Sequence, residues 1–224
     1  MNLNLLILPA YIQVSIGVLT KTPHQRVILM VAKTTATKKA KGIAFQKDVK
    51  ASLVSILGIN PDDILSTPSG VPGCDLYLSP EARKKFDFGI ECKRQEPASL
   101  VIYDALSQCI TNAQECNRRP LLVFRRNNHP AFVALRRSDF QDMQNLATRF
   151  RFYVTFKKAK IKSFQIYDAL DQCVTRANEA HSIPLLVFFK DGIEPFVALR
   201  LSDFLSMQLQ INQANDPQGE AKKV

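Results

Sequence analysis

At 224 residues, 46% hydrophobic and 22% charged, the chain is long enough to bury one large core or two small ones, and its composition excludes wholesale disorder. A formal net charge of +10 favours polyanionic partners, nucleic acid ahead of an acidic membrane surface. Five cysteines with no C-x-x-C pair and three scattered histidines speak against a disulfide framework, a structural zinc and a histidine-based nucleophile; they suit reduced thiols in a cytoplasmic setting.

The first twenty residues, MNLNLLILPAYIQVSIGVLT, carry no charge. Asn2, Asn4, Pro9, Gln13 and Ser15 weaken a membrane span, and the basic start and small-residue exit of an export signal are missing. An added strand or a loose appendage is the plainer expectation, and Met30, ahead of VAKTTATKKAKG, is an alternative start. Residues 33–41, KTTATKKAK, read as a polar lysine-rich linker, so 1–37 are expected to be an apolar segment followed by a basic tether.

From Gly42 the pattern turns helical, with Phe45, Val49, Leu53 and Leu57 on one stripe that stops at Gly58. NPDD marks a turn, ILSTP a short strand and SGVPG a Gly/Pro loop. CDLYLS is a second strand with Asp75 near its start; SPEARKKF is a helical turn with Ser79 as N-cap. FGIECK is a third strand, followed by an amphipathic helix with Ile102, Leu106, Cys109 and Ala113 on one face. PLLVFRR and AFVALR are strands around a polar turn, and SDFQDMQNLA is a helix expected to start from Ser138 as its cap.

A shift of 64 positions then superposes the chain on itself without a gap. FGIECKRQ meets FYVTFKKA, and IYDAL, PLLVF, FVALR and SDF each meet an identical run, with Gln108, Cys109 and Met143 meeting Gln172, Cys173 and Met207. The repeated unit is strand–helix–strand–strand–helix. It lacks a counterpart of the first helix and of the Asp75 strand, and it has Thr155 where the first unit has Glu91. We expect residues 149–212 to form a degenerate half-domain that extends or packs against the first sheet, adding basic surface through Lys157, Lys158, Lys160 and Lys162. Residues 213–224 are expected to be a polar tail.

Residues two apart on a strand face the same way, so Glu91 and Lys93 project together while Ile90 and Cys92 turn to the other face. If the Asp75 strand pairs with theirs, Asp75 and Glu91 meet beside Lys93. Two hard carboxylates suit Mg²⁺, which binds through one or two of them plus water and substrate phosphate; the Cys92 carbonyl is an additional ligand candidate. Glu-x-Lys alone is common on solvated strands. The order of elements around it is what gives it weight.

Those residues, in the run from KGIAFQKDVK to GCDLYLSPEARKKFDFGIECKRQ, resemble the PD-(D/E)xK nuclease superfamily, in particular small phage-type endonucleases, over roughly residues 38 to 143. The resemblance implies a restriction-endonuclease-like α/β fold, a mixed β-sheet flanked by helices, over a domain of residues 38–148. It implies Mg²⁺- or Mn²⁺-dependent hydrolysis of DNA phosphodiesters, with Asp75 and Glu91 as metal ligands and Lys93 positioning water. Cys74 stands where the name-giving proline would be, and the first helix offers Gln46, with Asp48 nearby, where many members place a glutamate. Gln108 is a further site candidate, with a structural hydrogen bond as its rival reading.

Lys38, Lys39, Lys41, Lys47, Ser69 and Arg94 are candidate contacts to a DNA backbone, joined by Lys50, Arg83, Lys84, Lys85 and the loop hydroxyls of Ser66 and Thr67. Solvated charge and loop polarity explain each of these equally well. No small-molecule cofactor is expected, a membrane partner is disfavoured, and a homodimer is left open. The expected setting is a phage- or prophage-encoded enzyme in the host cytoplasm. The competing expectation is a catalytically silent DNA-binding or assembly protein derived from a nuclease.

Overall fold

The computed structural model describes residues 23–68, 70–95, 101–159 and 164–215, with side chains from Lys39 onward except that of Gln95. The chain divides into two compact units, Met1–Ala40 and Lys41–Val224. Helix α1, Pro23–Leu57, includes residues 33–41, so the expected linker is helical. No Pro or Gly falls between Pro23 and Gly42, and the Lys and Ala residues there are good helix formers. The stripe Phe45, Val49, Leu53 and Leu57 is buried throughout. Gly58, at φ 59°, ends the helix by returning its N–H to Val54 O, a conformation glycine adopts without strain.

A 3₁₀ turn, Pro61–Asp63, capped by Asn60, leads into β1, Ile64–Ser66, and the Gly/Pro loop into β2, Leu76–Leu78. Helix α2, Pro80–Lys85, starts as expected from Ser79, whose Oγ accepts from Ala82 N. The series continues with β3, Phe88–Gln95; α3, Ile102–Glu115; β4, Arg119–Arg126; β5, Phe132–Arg136; and α4, Arg137–Leu146. It then runs through β6, Phe152–Lys158; α5, Ile166–Glu179; β7, Ile183–Phe189; β8, Phe196–Arg200; and α6, Leu201–Asn215.

Two expectations about helix ends are corrected. Arg136, not Ser138, is the N-cap position of α4, and the Ser138 hydroxyl instead meets Glu194 Oε1 on the β7–β8 turn. Residues 213–215 belong to α6 rather than to a tail, because Leu205, Met207 and Ile211 keep the helix seated on the core.

Among the described residues, eight strands form one mixed sheet in the order β1-β2-β3-β4-β5-β8-β7-β6. The β3–β4 and β6–β7 pairs are parallel and the rest antiparallel. Period-2 alternation divides each inner strand between two cores. Leu121, Val123, Val133 and Leu135 join α1, α4 and α6 on one face. Leu122, Phe124, Phe132 and Ala134 join α3 and α5 on the other.

Adding 64 to each partner turns the β3–β4 register, Glu91↔Leu122, into that of β6–β7, Thr155↔Leu186. The β4–β5 pair Leu122↔Ala134 likewise becomes Leu186↔Ala198. The two regions meet where β5 pairs with β8, and that antiparallel ladder is centred on Ala134↔Ala198, residues that are themselves 64 apart. The second region thus extends the first sheet and does not compete for β2, which pairs with β3.

Candidate active site

Strand β3 sends Phe88 and Ile90 into the core beneath α1 and α6, which leaves Glu91 and Lys93 on the side of α3. Residues 108 and 112 are one helical turn apart, so Gln108 and Asn112 descend from the same face of α3 onto them. Glu91 is only 4% exposed. Its Oε1 lies 2.7 Å from Lys93 Nζ, and its Oε2 accepts from Asn112 Nδ2 at 2.9 Å. Lys93 Nζ also donates to Gln108 Oε1 at 2.8 Å. A buried carboxylate needs this many partners to offset its lost hydration.

Asp75 arrives from the other side. The register pairs Leu76 with Ile90, and one further antiparallel step brings Asp75 opposite Glu91. Asp75 N donates to Ile90 O at 2.9 Å, and Asp75 Oδ2 accepts from Cys92 N at 2.7 Å. Gln46 on α1 lies near enough to the same carboxylate to draw its pKa down. Burial first, and then the negative charge of Glu91, push the Asp75 pKa up, against the Cys92 N–H, Lys93 and Gln46, which draw it down. The two acids therefore feel each other's charge.

The loop that delivers Asp75 is held internally. Thr67 Oγ1 donates to Cys74 O at 2.6 Å and Thr67 N to Asp75 O at 2.9 Å, so this hydroxyl is committed to the loop rather than free for a phosphate. Gly73 turns at φ 105°. Gly89 on β3 is required by close approach, since a Cβ there would lie 2.8 Å from Cys74 Sγ and 2.9 Å from Ala113 Cβ. The Cys74 thiol contacts Cys116 Sγ at 3.3 Å. Burial, followed by that contact, pushes the Cys74 pKa up to about 12.

Asp75, Glu91, Lys93, Gln46 and Gln108 therefore lie in one cluster. Asp48 does not join it: it pairs with Arg125 at 2.7 Å on the exposed flank of α1. Asn112, one helical turn from Gln108, joins the cluster through Glu91 although the sequence reading did not select it. Among the described residues no three His, Cys, Asp or Glu side chains cluster as a metal site, so any ion here would have two carboxylates and must draw further ligands from backbone and water. On an extended strand a residue's N–H and C=O point to the same edge, which puts the Cys92 carbonyl on the Asp75 side of β3. That donor set fits Mg²⁺ or Mn²⁺, hard cations that keep several waters.

Of the basic candidates, Lys39 and Lys47 are exposed and Lys41 is half-buried on α1. Arg94 is tied to Asn127 Oδ1 at 3.2 Å. Lys50 donates to Ile64 O, Lys84 pairs with Glu81 on the exposed face of α2, and Lys85 donates to Gly58 O. Ser69 and the side chain of Lys38 lie outside the described residues, as do Lys160 and Lys162. A larger surface pocket, of about 570 Å³, is lined by Arg149, Arg151, Asn178 and His181 and by none of the clustered residues.

At the equivalent place in the second region Lys157 Nζ donates to Gln172 Oε1 at 3.1 Å, the same contact 64 residues on. Thr155 is buried with no hydrogen-bond partner for its Oγ1, Arg176 stands in the place of Asn112, and among the described residues β6 is the last strand of the sheet.

Among the described residues no helix is long and apolar enough to cross a membrane. A family model described as "Phage putative PDDEXK endonuclease" matches residues 37–170, from within α1 to the first turn of α5. No curated protein and no solved structure matches the chain.

Proposed function

Because the chain belongs to the phage PDDEXK endonuclease family, we propose that it is a divalent-metal-dependent DNA endonuclease whose working centre is Asp75, Glu91 and Lys93. The observation that carries this reading is the convergence of two acids from adjoining strands beside one ammonium, with the Asp75 pKa raised in part by the Glu91 charge. Side chains that only served the fold would not be expected to gather like charges.

Asp75, Glu91 and the Cys92 carbonyl would hold Mg²⁺ or Mn²⁺. When bound, such an ion polarises a phosphate oxygen and makes a coordinated water easier to deprotonate. The chain's own residues prepare the ground for that chemistry. Asn112 fixes one Glu91 oxygen, which leaves the carboxylate a single orientation. Gln108 holds the Lys93 ammonium beside it, where it can orient the attacking water and offset charge on the phosphate. The Cys92 N–H keeps Asp75 turned inward, with Gln46 close to the same carboxylate. Exposed lysines of α1, Lys39 and Lys47, supply contacts to the DNA backbone that are indifferent to sequence and sensitive to salt.

In this reading residues 38–148 are the nuclease domain and 149–212 a degenerate copy of its half. The copy keeps the Lys157–Gln172 contact but not the acids, so it continues the sheet without a second centre. The setting is a host cytoplasm, with the gene carried by a phage or prophage.

A second reading is favoured by one observation: Glu91, Lys93, Gln108 and Asn112 bond to one another, as a structural network in a silent DNA-binding protein would. Plasmid nicking with Mg²⁺ or Mn²⁺ separates the two. Nicking by the wild type that is lost in Asp75→Ala and Glu91→Ala, with folding intact, supports the nuclease; DNA binding with no cleavage in either metal establishes the silent protein.

A further inference from the structure

Cys74 and Cys116 are 42 residues apart in the chain, yet their sulfurs touch at 3.3 Å. Neither is bonded to a third cysteine. The two are unlike in a useful way. Cys116 is exposed at the C-cap of α3, whereas Cys74 is buried beneath it at the foot of the glycine loop. A cavity of about 160 Å³, lined by both thiols together with Leu76, Tyr77, Phe88 and Arg118, opens beside the pair. That volume accommodates a molecule of a few heavy atoms.

The surroundings leave room for the sulfurs and for movement. A Cβ at Gly89 would collide with Cys74 Sγ at 2.8 Å, whereas one at Gly73 would meet Cys116 Sγ at an ordinary contact distance of 3.5 Å. The segment that must shift, from Gly70 to Gly73, has both glycines at positive φ. Shortening the contact to a covalent S–S length of about 2.0 Å requires roughly 1.3 Å of closure, which a glycine-hinged loop can absorb more readily than a strand or helix. In the second region the position equivalent to Cys116 is Ala180, and there is no counterpart of the Cys74 segment. The thiol pair is thus particular to the half that carries Asp75.

We propose that Cys74 and Cys116 form a dithiol oxidation site, closed to a disulfide by small peroxides. The exposed Cys116 sulfur attacks one peroxide oxygen; the O–O bond breaks, Cys116 becomes a sulfenic acid, and the other oxygen leaves as water with the thiol proton. The Cys74 sulfur then attacks the Cys116 sulfur. The S–S bond forms, the S–O bond breaks, and the hydroxyl leaves as a second water with the Cys74 proton. Two thiols are oxidised by two electrons and one hydrogen peroxide is reduced to two waters. The site stands whether or not the chain cleaves DNA.

The test uses the full chain, reduced, freed of reductant, treated with hydrogen peroxide and then alkylated under denaturing conditions. The expected result is a mass lower by two hydrogens before alkylation, alkylation at three thiols instead of five, and a Cys74–Cys116 cross-linked peptide that dithiothreitol releases. The thermal midpoint should rise on oxidation and return on reduction. In Cys116→Ser all four remaining cysteines should alkylate after peroxide, with no change in the midpoint; in Cys74→Ala the Cys116 sulfenic acid should persist long enough to be trapped by dimedone. Alkylation of all five thiols after peroxide, a bridge between Cys92 and Cys109, or equal thiol loss in Cys116→Ser would overturn the proposal.

Discussion

Strand β3 and strand β6 occupy the same place in two regions with the same element order and register, but their surroundings differ. On β3, Glu91 is buried and satisfied by Lys93 and Asn112, with Asp75 brought across by β2. On β6 no outer strand pairs among the described residues, Thr155 Oγ1 is buried without a hydrogen-bond partner, and Val154 and Phe156 are 41% and 61% exposed. What separates the two strands is the neighbour that brings a second acid to β3. The contact Lys93–Gln108 recurs as Lys157–Gln172; that pair therefore belongs to the scaffold as well as to the site.

The most severe way to break the comparison is to remove the second region. A chain ending after residue 148 would leave β5, whose Phe132 to Leu135 are buried, as an open apolar edge. A shift to larger species or aggregates relative to the full chain is expected by size-exclusion chromatography with light scattering. The next largest effect is an exchange of the diagnostic residues. Glu91→Thr should lower plasmid nicking by about 10²-fold or more, while Thr155→Glu in the same background should restore nothing, because among the described residues no strand brings a second acid beside β6. Recovery of nicking in the double variant would refute the asymmetry.

Gly89 meets its numerical equivalent in Tyr153. Gly89→Ala should destabilise the fold by about 1–3 kcal/mol in urea denaturation through overpacking against Cys74 and Ala113, whereas Tyr153→Ala should not reproduce a loss of that kind.

The raised Asp75 pKa makes a further distinction. The folded chain holds that proton more tightly than the unfolded chain, so the corresponding stability is present at acid pH and is lost as pH rises through the folded value. Mg²⁺ should accordingly raise the thermal midpoint above that pH and not below it, and Asp75→Asn should remove the metal response while stabilising the metal-free chain. The smallest effect is expected from Gln172→Ala, about 1 kcal/mol or less of stability with nicking unchanged; Gln108→Ala should lower nicking as well, because its lysine partner has a carboxylate to attend.

Much of this was legible in the sequence for physical reasons. The stripe Phe45 to Leu57, the Ser79 cap and the Asp75/Glu91 strands are local patterns whose outcome the tertiary structure did not override. Residues 33–41 misled because lysine and threonine suggest a linker, yet nothing in them breaks a helix. Ser138 misled because its hydroxyl found Glu194, 56 residues away, in place of a local amide. Asp48 left the site for Arg125, 77 residues away. Asn112 could have been chosen from its spacing, but only the seating of α3 on Gly89 shows that it reaches Glu91.

The ladder centred on Ala134↔Ala198 has the geometry of two identical protomers meeting about a dyad. Here the partners are tethered, so their encounter is governed by a fixed effective molarity rather than by how much protein a cell holds. Such a seam persists at the lowest expression level, and a scarce protein keeps its complete sheet from the first molecule made.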